Sequence, residues 1–257
     1  MIMMLIESPK NEKIKYLTRL LTDNRFRRRE QVFTVEGRQE NERALQFNFK
    51  AKEFFICPDI FDGEMPAGQI TFVSKNLYEK LAYRGTSEGW LGIYETPEPV
   101  LSDFAPAEHS AVVVLEGVEK PGNLGAILRS CEAFGIDALI ITDPKTDFYN
   151  PNVIRSSVGC LFGMNIFQSS NEDTFSFLSN NGYQILTTNM HQDAQPLPAR
   201  TLTGKTAIVF GTEHSGLTDF WTGKGNNTLI PMAGSIDSLN LSNAVAIAAY
   251  EILRQRI

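Results

Sequence analysis

Residues 111–135 read Ala-Val-Val-Val-Leu-Glu-Gly-Val-Glu-Lys-Pro-Gly-Asn-Leu-Gly-Ala-Ile-Leu-Arg-Ser-Cys-Glu-Ala-Phe-Gly. Ala111–Leu115 is an unbroken apolar run, the pattern of a strand buried on both faces. Glu116–Gly125 is a loop rich in glycine. Leu124–Phe134 repeats its apolar residues at helical spacing and stops at Gly135, a helix C-cap. Strand, loop and helix in that order form the repeating unit of a parallel α/β sheet.

The same alternation continues downstream. Ala138–Thr142, Tyr183–Thr187, Thr206–Phe210 and Thr228–Ile230 predict strands, and Asn152–Val158 predicts a helix. Ser242–Ile257 predicts a long closing helix, capped by Ser242, with Val245, Ile247, Ala248 and Leu253 for packing. A mostly parallel sheet with helices on both faces follows. Upstream, Pro97, Pro99 and Pro106 punctuate a polar stretch, so residues 97–109 read as a linker. It separates a domain over 1–96 from one over 110–257. The first domain is a small α/β unit. It has helices over residues 10–24 (Ile14, Leu17, Leu20, Leu21), Gly37–Phe47 and, capped by Ser74, up to Leu81. Its strands are Val32–Val35, Phe54–Cys57, Ile70–Val73 and Trp90–Tyr94.

A chain of 257 residues suits two domains, and 42% hydrophobic with 21% charged residues supports a sizeable core. No apolar stretch reaches the roughly 18 residues of a membrane helix. The apolar start, Met1–Ile6, is too short for a signal-peptide core and meets Glu7 with no basic segment before it. Cys57, Cys131 and Cys160 lie far apart with no CxxC pair, and His109, His191 and His214 are equally scattered. No metal site and a reducing, cytoplasmic setting are expected.

The net charge of −6 argues against nucleic acid, but its distribution does not. Residues 1–50 hold eleven Lys/Arg against seven Asp/Glu, and the remainder holds 13 against 23. Arg25, Arg27, Arg28 and Arg29 surround Phe26, with Lys10, Lys13, Lys15 and Arg19 upstream. A nucleic-acid footprint is a local basic patch of this kind. A solvated helix face gives the same run.

Three loops follow strand ends, where parallel α/β folds bind ligands. The first, Glu116–Gly125, lacks GxGxxG spacing, which argues against a nucleotide-dependent oxidoreductase. Its Gly117 and Gly122 have P-loop spacing, but Asn123 and Leu124 stand where Lys and Ser/Thr belong. The second, Gly211–Leu217, sets His214 beside Ser215 with no GxSxG elbow, which argues against a hydrolase triad. The third, Pro231–Ser242, carries Ser238, Asn240 and Ser242 among apolar residues, more polar groups than one helix cap needs.

Asn123–Gly135 resembles the first motif of the SpoU (TrmH-type) RNA ribose methyltransferases of the SPOUT superfamily. Val209–Leu217 is similar to the second motif. Ile230–Glu251, with its Ser-Leu-Asn-Leu-Ser core, is similar to the third. Tyr149–Gly159 resembles the segment between the first two. Phe33-Thr34-Val35-Glu36-Gly37 with Ala44-Leu45 resembles the L30e-like substrate-binding domain of many members, whereas Arg84–Gly89 fits the corresponding loop only loosely. The resemblance implies a parallel-sheet SPOUT domain with a C-terminal trefoil knot, preceded by the L30e-like domain. It implies a homodimer that binds S-adenosylmethionine in the knot loops and methylates a ribose 2′-oxygen of RNA, ribosomal RNA being favoured over transfer RNA. By position, Gly211, Ile230 and Leu239 are cofactor contacts, and Thr187 or Thr188 lies near the adenosine. Asn123, Arg129, Glu213, Ser238 and Asn240 fall on the family's polar active-site positions. Arg25, Arg27, Arg28 and Arg29 would contact RNA phosphates.

The chemistry suits these residue types. A ribose hydroxyl is a poor nucleophile at neutral pH, so a positioned, charged environment helps its deprotonation. Arg129 has three readings: a general base, a bidentate phosphate clamp that eases alkoxide formation, or a salt bridge to Glu132. A guanidinium rarely surrenders its proton, which favours the clamp. Glu213 would hold Asn123 or Ser238, or else face water. Ser238 and Asn240 would orient the cofactor's carboxylate end or the arginine. The rival is a catalytically inactive RNA-binding module of the same fold.

Overall fold

The computed structural model of the chain describes residues 5–83, 88–236 and 238–257. Residues 84–87 of the loosely fitting loop therefore lie outside the described residues. In chain order the first elements are β1 (Leu5–Ile6), α1 (Glu12–Thr22), α2 (Asn24–Glu30), β2 (Val32–Glu36), α3 (Arg38–Gln46), β3 (Ala51–Ile56), β4 (Ile70–Val73), α4 (Lys75–Leu81) and β5 (Trp90–Glu95). They are followed by β6 (Ala111–Glu116), α5 (Pro121–Ala133), β7 (Ala138–Thr142), α6 (Pro151–Ser156), β8 (Asn165–Ser169) and α7 (Asn171–Asn180). The last are β9 (Gln184–Thr188), β10 (Gln195–Pro196), β11 (Thr206–Phe210), β12 (Asn226–Leu229) and α8 (Leu241–Arg256).

The contacts divide the chain into two compact units. One comprises residues 1–97 with 147–162, and the other residues 98–146 with 163–257. In the first, the strands run in the order β1-β4-β3-β5-β2. The neighbours β1, β4 and β3 pair in parallel, whereas β5 is antiparallel to β3 and β2. Successive residues of a strand face opposite ways. Val32, Phe55, Leu91 and Ile93 therefore pack with Ile14, Leu17 and Leu20 of α1 and Leu77 and Tyr78 of α4. Phe33 belongs to a separate aromatic group. Its ring lies 5.6 Å from Tyr94, 4.5 Å from Tyr149 and 6.1 Å from Phe162, and Phe162 lies 4.9 Å from Phe49. Two of these rings come from 147–162, a segment some 50 residues beyond the rest of the unit.

The expected helix over residues 10–24 is two helices. The Asp23 side chain accepts from the Phe26 backbone N–H at 3.0 Å, which ends α1 and starts α2. The arginine run thus lies on α2, and this corrects one RNA-contact expectation. Arg27 is buried, its side chain only 4% exposed. One guanidinium nitrogen donates to Leu20 O at 2.7 Å and the other lies 3.5 Å from Asp147. Burial pulls its pKa below the ordinary arginine value, with the nearby Asp147 opposing that shift. Phe26 is buried as well, beneath the guanidinium groups of Arg19 and Arg29. Arg25, Arg28 and Arg29 are exposed. The reason is helical geometry: four arginines in five positions cannot all face water on a helix packed against a sheet.

In the second unit the strands run β10-β12-β9-β11-β6-β7-β8, and every described pairing is parallel. All positions of β6, β7 and β11 are buried, as expected for strands covered on both faces. Val112, Val114, Ile140 and Val209 pack with Leu178 of α7, while α8 packs against α5 and β11. On α8 the buried residues Val245, Ala248, Ala249 and Ile252 follow helical spacing, and Ile247, expected in the core, is exposed. β8 and α7 had no sequence expectation. The edge strand β8 buries only Ile166 and Phe167, and α7 buries only Thr174 and Leu178. Its legible signal is the cap, where Ser170 Oγ accepts from the Asp173 N–H at 3.0 Å.

Because Phe162 sits among Phe33 and Phe49 at 4% exposure, Phe162→Ala should cost about 3–5 kcal/mol of folding stability. Urea denaturation of the full chain measures this, and an unchanged midpoint would show that residues 147–162 add nothing to the first unit.

Candidate active site

The seven-stranded sheet reverses its direction of growth at β6. From there the chain adds β7 and β8 on one side, whereas β11 lies on the other, between β6 and β9. Loops beyond the carboxyl ends of strands at such a reversal form the usual ligand crevice. Here a cleft of about 890 Å³ opens on the β11 side of that reversal. Its walls are the segments after β9, β11 and β12. Thr187, Thr188, Gly211, Ile230 and Leu239 all line it, as do Glu213 and Ser238.

Local chemistry shapes these walls. The loop after β11 folds back on itself: Thr212 and Gly216 exchange backbone hydrogen bonds at 3.0 and 3.1 Å, and the Ser215 N–H donates to Thr212 Oγ1 at 3.0 Å. A Cβ on Gly211 would overlap the backbone of Gly216 and Leu217, so the tight return requires glycine there. The far end of the loop is anchored on Glu116, which is 2% exposed. Its carboxylate accepts from the Thr218 N–H at 2.8 Å, Thr218 Oγ1 at 2.7 Å and Asn171 Nδ2 at 2.5 Å. Three neutral donors thus satisfy a buried carboxylate. Thr188 Oγ1 donates to Val209 O at 2.9 Å and ties β9 to β11.

Beside the cleft, four polar residues from three distant segments meet. Pro121 opens α5, three residues earlier than the periodicity indicated, which puts Asn123 on the first helical turn. Glu213 accepts from Asn123 Nδ2 and Lys120 Nζ, and from Asn240 Nδ2 at 3.0 Å. Asn240 Nδ2 also lies 3.3 Å from Asn123 Oδ1. The cap of α8 is Asn240 rather than the expected Ser242. Asn240 Oδ1 accepts from the Ser242 N–H at 3.0 Å and from Ser242 Oγ at 2.6 Å. The hydrogen bond from Lys120 foremost lowers the Glu213 pKa, with Asn123 and the Leu241 backbone acting in the same direction.

The structure therefore brings Asn123, Glu213 and Asn240 together and sets Ser238 on the cleft wall. It does not bring Arg129 into this cluster. Arg129 lies six positions beyond Asn123, roughly 240° around α5 at about 100° per residue. Its side chain is exposed, and no hydrogen bond or ion pair with a described residue engages it. Lys120 and Glu116 had no role in the sequence reading. The available signal was place: Glu116 ends β6 and Lys120 immediately precedes α5, so each carries charge beside the loop between them. Among the described residues, no cluster of three or more His, Cys, Asp or Glu side chains could hold a metal ion, and no helix is long and apolar enough to cross a membrane.

Residues 110–250 match the SpoU rRNA Methylase family, and residues 11–92 match the MRM3-like substrate binding domain. The chain belongs to the SpoU rRNA methylase family. It is 26% identical over 250 residues to the 23S rRNA (guanosine(2553)-2′-O)-methyltransferase RlmP of Bacillus subtilis (strain 168), covering 96% of this chain and 98% of that protein. It is 28% identical to the 23S rRNA (guanosine-2′-O-)-methyltransferase RlmB of Acinetobacter baylyi, covering 85% and 92%. Among solved structures, an RNA 2′-O ribose methyltransferase superposes with a TM-score of 0.85 at 33% identity, covering 98% of this chain and 99% of that one. An AdoMet-bound rRNA methyltransferase from Sinorhizobium meliloti superposes with a TM-score of 0.89 at 25% identity, covering 99% and 98%. The SpoU fold of this chain is thus the mixed α/β architecture with a parallel sheet described above.

The lowered Glu213 pKa makes a pH-dependent contribution to stability. It is complete above the unfolded value of 4.5 and is lost as pH falls through the depressed folded value. Glu213→Gln should therefore melt below the wild type at pH 7, and the gap should close below pH 4.5. Thermal melts across pH 3–8 check this; a gap that stays constant would show that the Lys120 pair contributes nothing.

Proposed function

We propose that this chain is an S-adenosylmethionine-dependent RNA 2′-O-ribose methyltransferase acting on ribosomal RNA. The observation that carries the reading is the convergence of Thr187, Thr188, Gly211, Ile230 and Leu239 on one cleft, with the Asn123–Glu213–Asn240 cluster beside it. The donor set fits an adenosyl cofactor. The cleft is of ligand size, and it combines the apolar Ile230, Leu239 and Met232 with threonine hydroxyls.

S-adenosylmethionine, when bound, supplies a methyl group already activated on sulfonium. The protein's task is to hold the cofactor and to present a ribose oxygen. In this reading the five lining residues hold the cofactor. Glu213 is a positioning residue: its carboxylate binds the start of α5 to the start of α8, which keeps the cleft loops in register. Ser238 orients the cofactor's carboxylate end. Arg129 is the catalytic cation. Exposed and without a partner among the described residues, it is available to grip an RNA phosphate through two N–H groups and to stabilise the developing 2′-alkoxide. A guanidinium does not serve as a base at neutral pH. The requirement for a 2′-hydroxyl selects RNA over DNA.

The first unit, which carries the MRM3-like match, is the RNA-holding part: an L30e-like domain over residues 1–96, completed by 147–162 and joined by the linker 97–109 to the SPOUT domain, the remainder of 110–257. Its exposed Arg25, Arg28 and Arg29 supply phosphate contacts. A homodimer, a trefoil knot near the carboxyl terminus and a cytoplasmic setting complete the reading. Exposed Ile247 and Tyr250 on α8 support the association of two copies, and family membership supports the knot.

Transfer of labelled methyl from S-adenosylmethionine to bulk RNA, followed by mapping of ribose methylation, tests the activity. Arg129→Ala should lower transfer by about 10²–10³-fold, and Arg129→Lys should restore only part of it. RNA binding without transfer by the wild type would make the chain an inactive binding module. For the basic run, Arg25→Ala, Arg28→Ala and Arg29→Ala should each flatten the slope of log affinity against log salt by roughly 0.7–1. Arg27→Ala should instead lower the melting temperature, because it removes the donor to Leu20 O and the cation beside Asp147 Oδ2. Equal salt slopes in all variants would return the run to a solvated helix face.

A further inference from the structure

On β12, Asn227 lies in register with Thr187 of β9, and three side chains converge on its side-chain amide. Asn227 Oδ1 accepts from Thr187 Oγ1 at 3.2 Å and from Asn189 Nδ2 at 2.6 Å. Asn227 Nδ2 donates to both carboxylate oxygens of Asp193, at 2.9 and 2.8 Å. Arg200 holds the Asn227 backbone carbonyl at 2.6 Å. Asn189 Oδ1 accepts from the His191 N–H at 3.2 Å, which curls the chain after β9 back toward the cleft. Thr187, Asn189, His191, Asp193 and Asn227 all line that cleft.

The donor and acceptor inventory shows what this network offers. Both ends of the Asn227 amide are committed, so its orientation is set and it has little left for a ligand. Asp193 differs. An ionised carboxylate only accepts hydrogen bonds, and each of its oxygens has more than one lone-pair direction. One amide nitrogen does not exhaust them. Among the described residues no cation pairs with Asp193, and it is exposed on the cleft wall. Two other carboxylates line the cleft. Glu213 is occupied by Lys120, Asn123 and Asn240, and no hydrogen bond among the described residues fixes the Asp219 carboxylate. Asp193 alone of the three is both held in place and open to a ligand. Such an acceptor gives up little conformational entropy on binding.

We propose that Asp193, held by Asn227, is a cofactor-binding residue that accepts hydrogen bonds from the donor groups of the adenosyl cofactor. This rests on the function proposed above. The cofactor has two sets of donors suited to a carboxylate: the vicinal ribose hydroxyls and the α-ammonium group. The chemistry is shared, and the two sources separate by ligand. S-adenosylhomocysteine carries both sets, whereas 5′-methylthioadenosine keeps the ribose and lacks the ammonium.

Isothermal titration calorimetry with these two ligands, on wild type, Asp193→Asn and Asp193→Ala, tests the proposal. Asp193 is exposed, so both variants should retain the wild-type melting curve. Asp193→Ala should lose about 10- to 100-fold in affinity for S-adenosylhomocysteine, and Asp193→Asn, which keeps one acceptor, should lose less. An equal loss for 5′-methylthioadenosine assigns Asp193 to the ribose, and an unchanged affinity for it assigns Asp193 to the ammonium. Wild-type affinity of Asp193→Ala for both ligands overturns the proposal and leaves the methyltransferase reading intact. A wild-type protein that binds neither ligand overturns that reading and this inference together.

Discussion

The carboxylate of Glu213 is the constraint on which the rest of the site depends. From the loop after β11 it binds Lys120 and Asn123 at the start of α5 and Asn240 at the start of α8, so three segments far apart in the chain meet. Charge-assisted hydrogen bonds are stronger than neutral ones, and a carboxylate can accept several at once. Asn240 extends the hold, since the same side chain caps α8. The entry to one helix, the cap of another and the loop after β11 therefore form one connected piece. The floor of the cleft consists of strand ends, which parallel pairing already fixes. Its walls are loops, and they need this additional tie.

Two further devices keep the loop after β11 in place. Gly211 lets the returning chain at Gly216 and Leu217 pass over it, where any side chain would collide. Glu116, buried at the end of β6, holds Thr218 at the loop's far end. A buried carboxylate without donors would be costly, so its three hydrogen bonds make the loop's position a condition of stable folding. The function thus draws on rigidity built from hydrogen bonds around the cleft, while the apolar strands β6, β7 and β11 supply the platform.

The first unit separates charge from availability. Its arginines look equivalent as a run, yet Arg27 is structural. It spans from Leu20 to Asp147, while Arg25 and Arg28 remain in solvent and the exposed Arg29 pairs with Glu30 at 2.8 Å. Phe26, which might suggest a stacking surface for bases, is a core residue under two guanidinium groups. Asp147, Tyr149 and Phe162 show that the unit is completed by a segment from well beyond the proline-rich stretch.

Much of the architecture was legible in the chain itself. Apolar runs such as Val112–Leu115 and Ile208–Phe210 mark buried strands because a strand covered on both faces has no polar position to spare. The turn residues Gly135 and Gly211 mark the ends of elements, and the polar residues around Asn123, Glu213 and Asn240 mark three loops. The edge strand β8 and the sparsely buried α7 were not legible, since neither buries enough surface to impose a period. What only the tertiary structure decided is which of these residues meet. Glu213 with Lys120, Arg27 with Asp147, and Asn227 with Asp193 are pairings between segments that share no local pattern. Periods of 2 and 3.6 residues are properties of neighbouring backbone, whereas partners across the fold depend on strand order and on where each chain segment returns, and those are settled only when the whole chain packs.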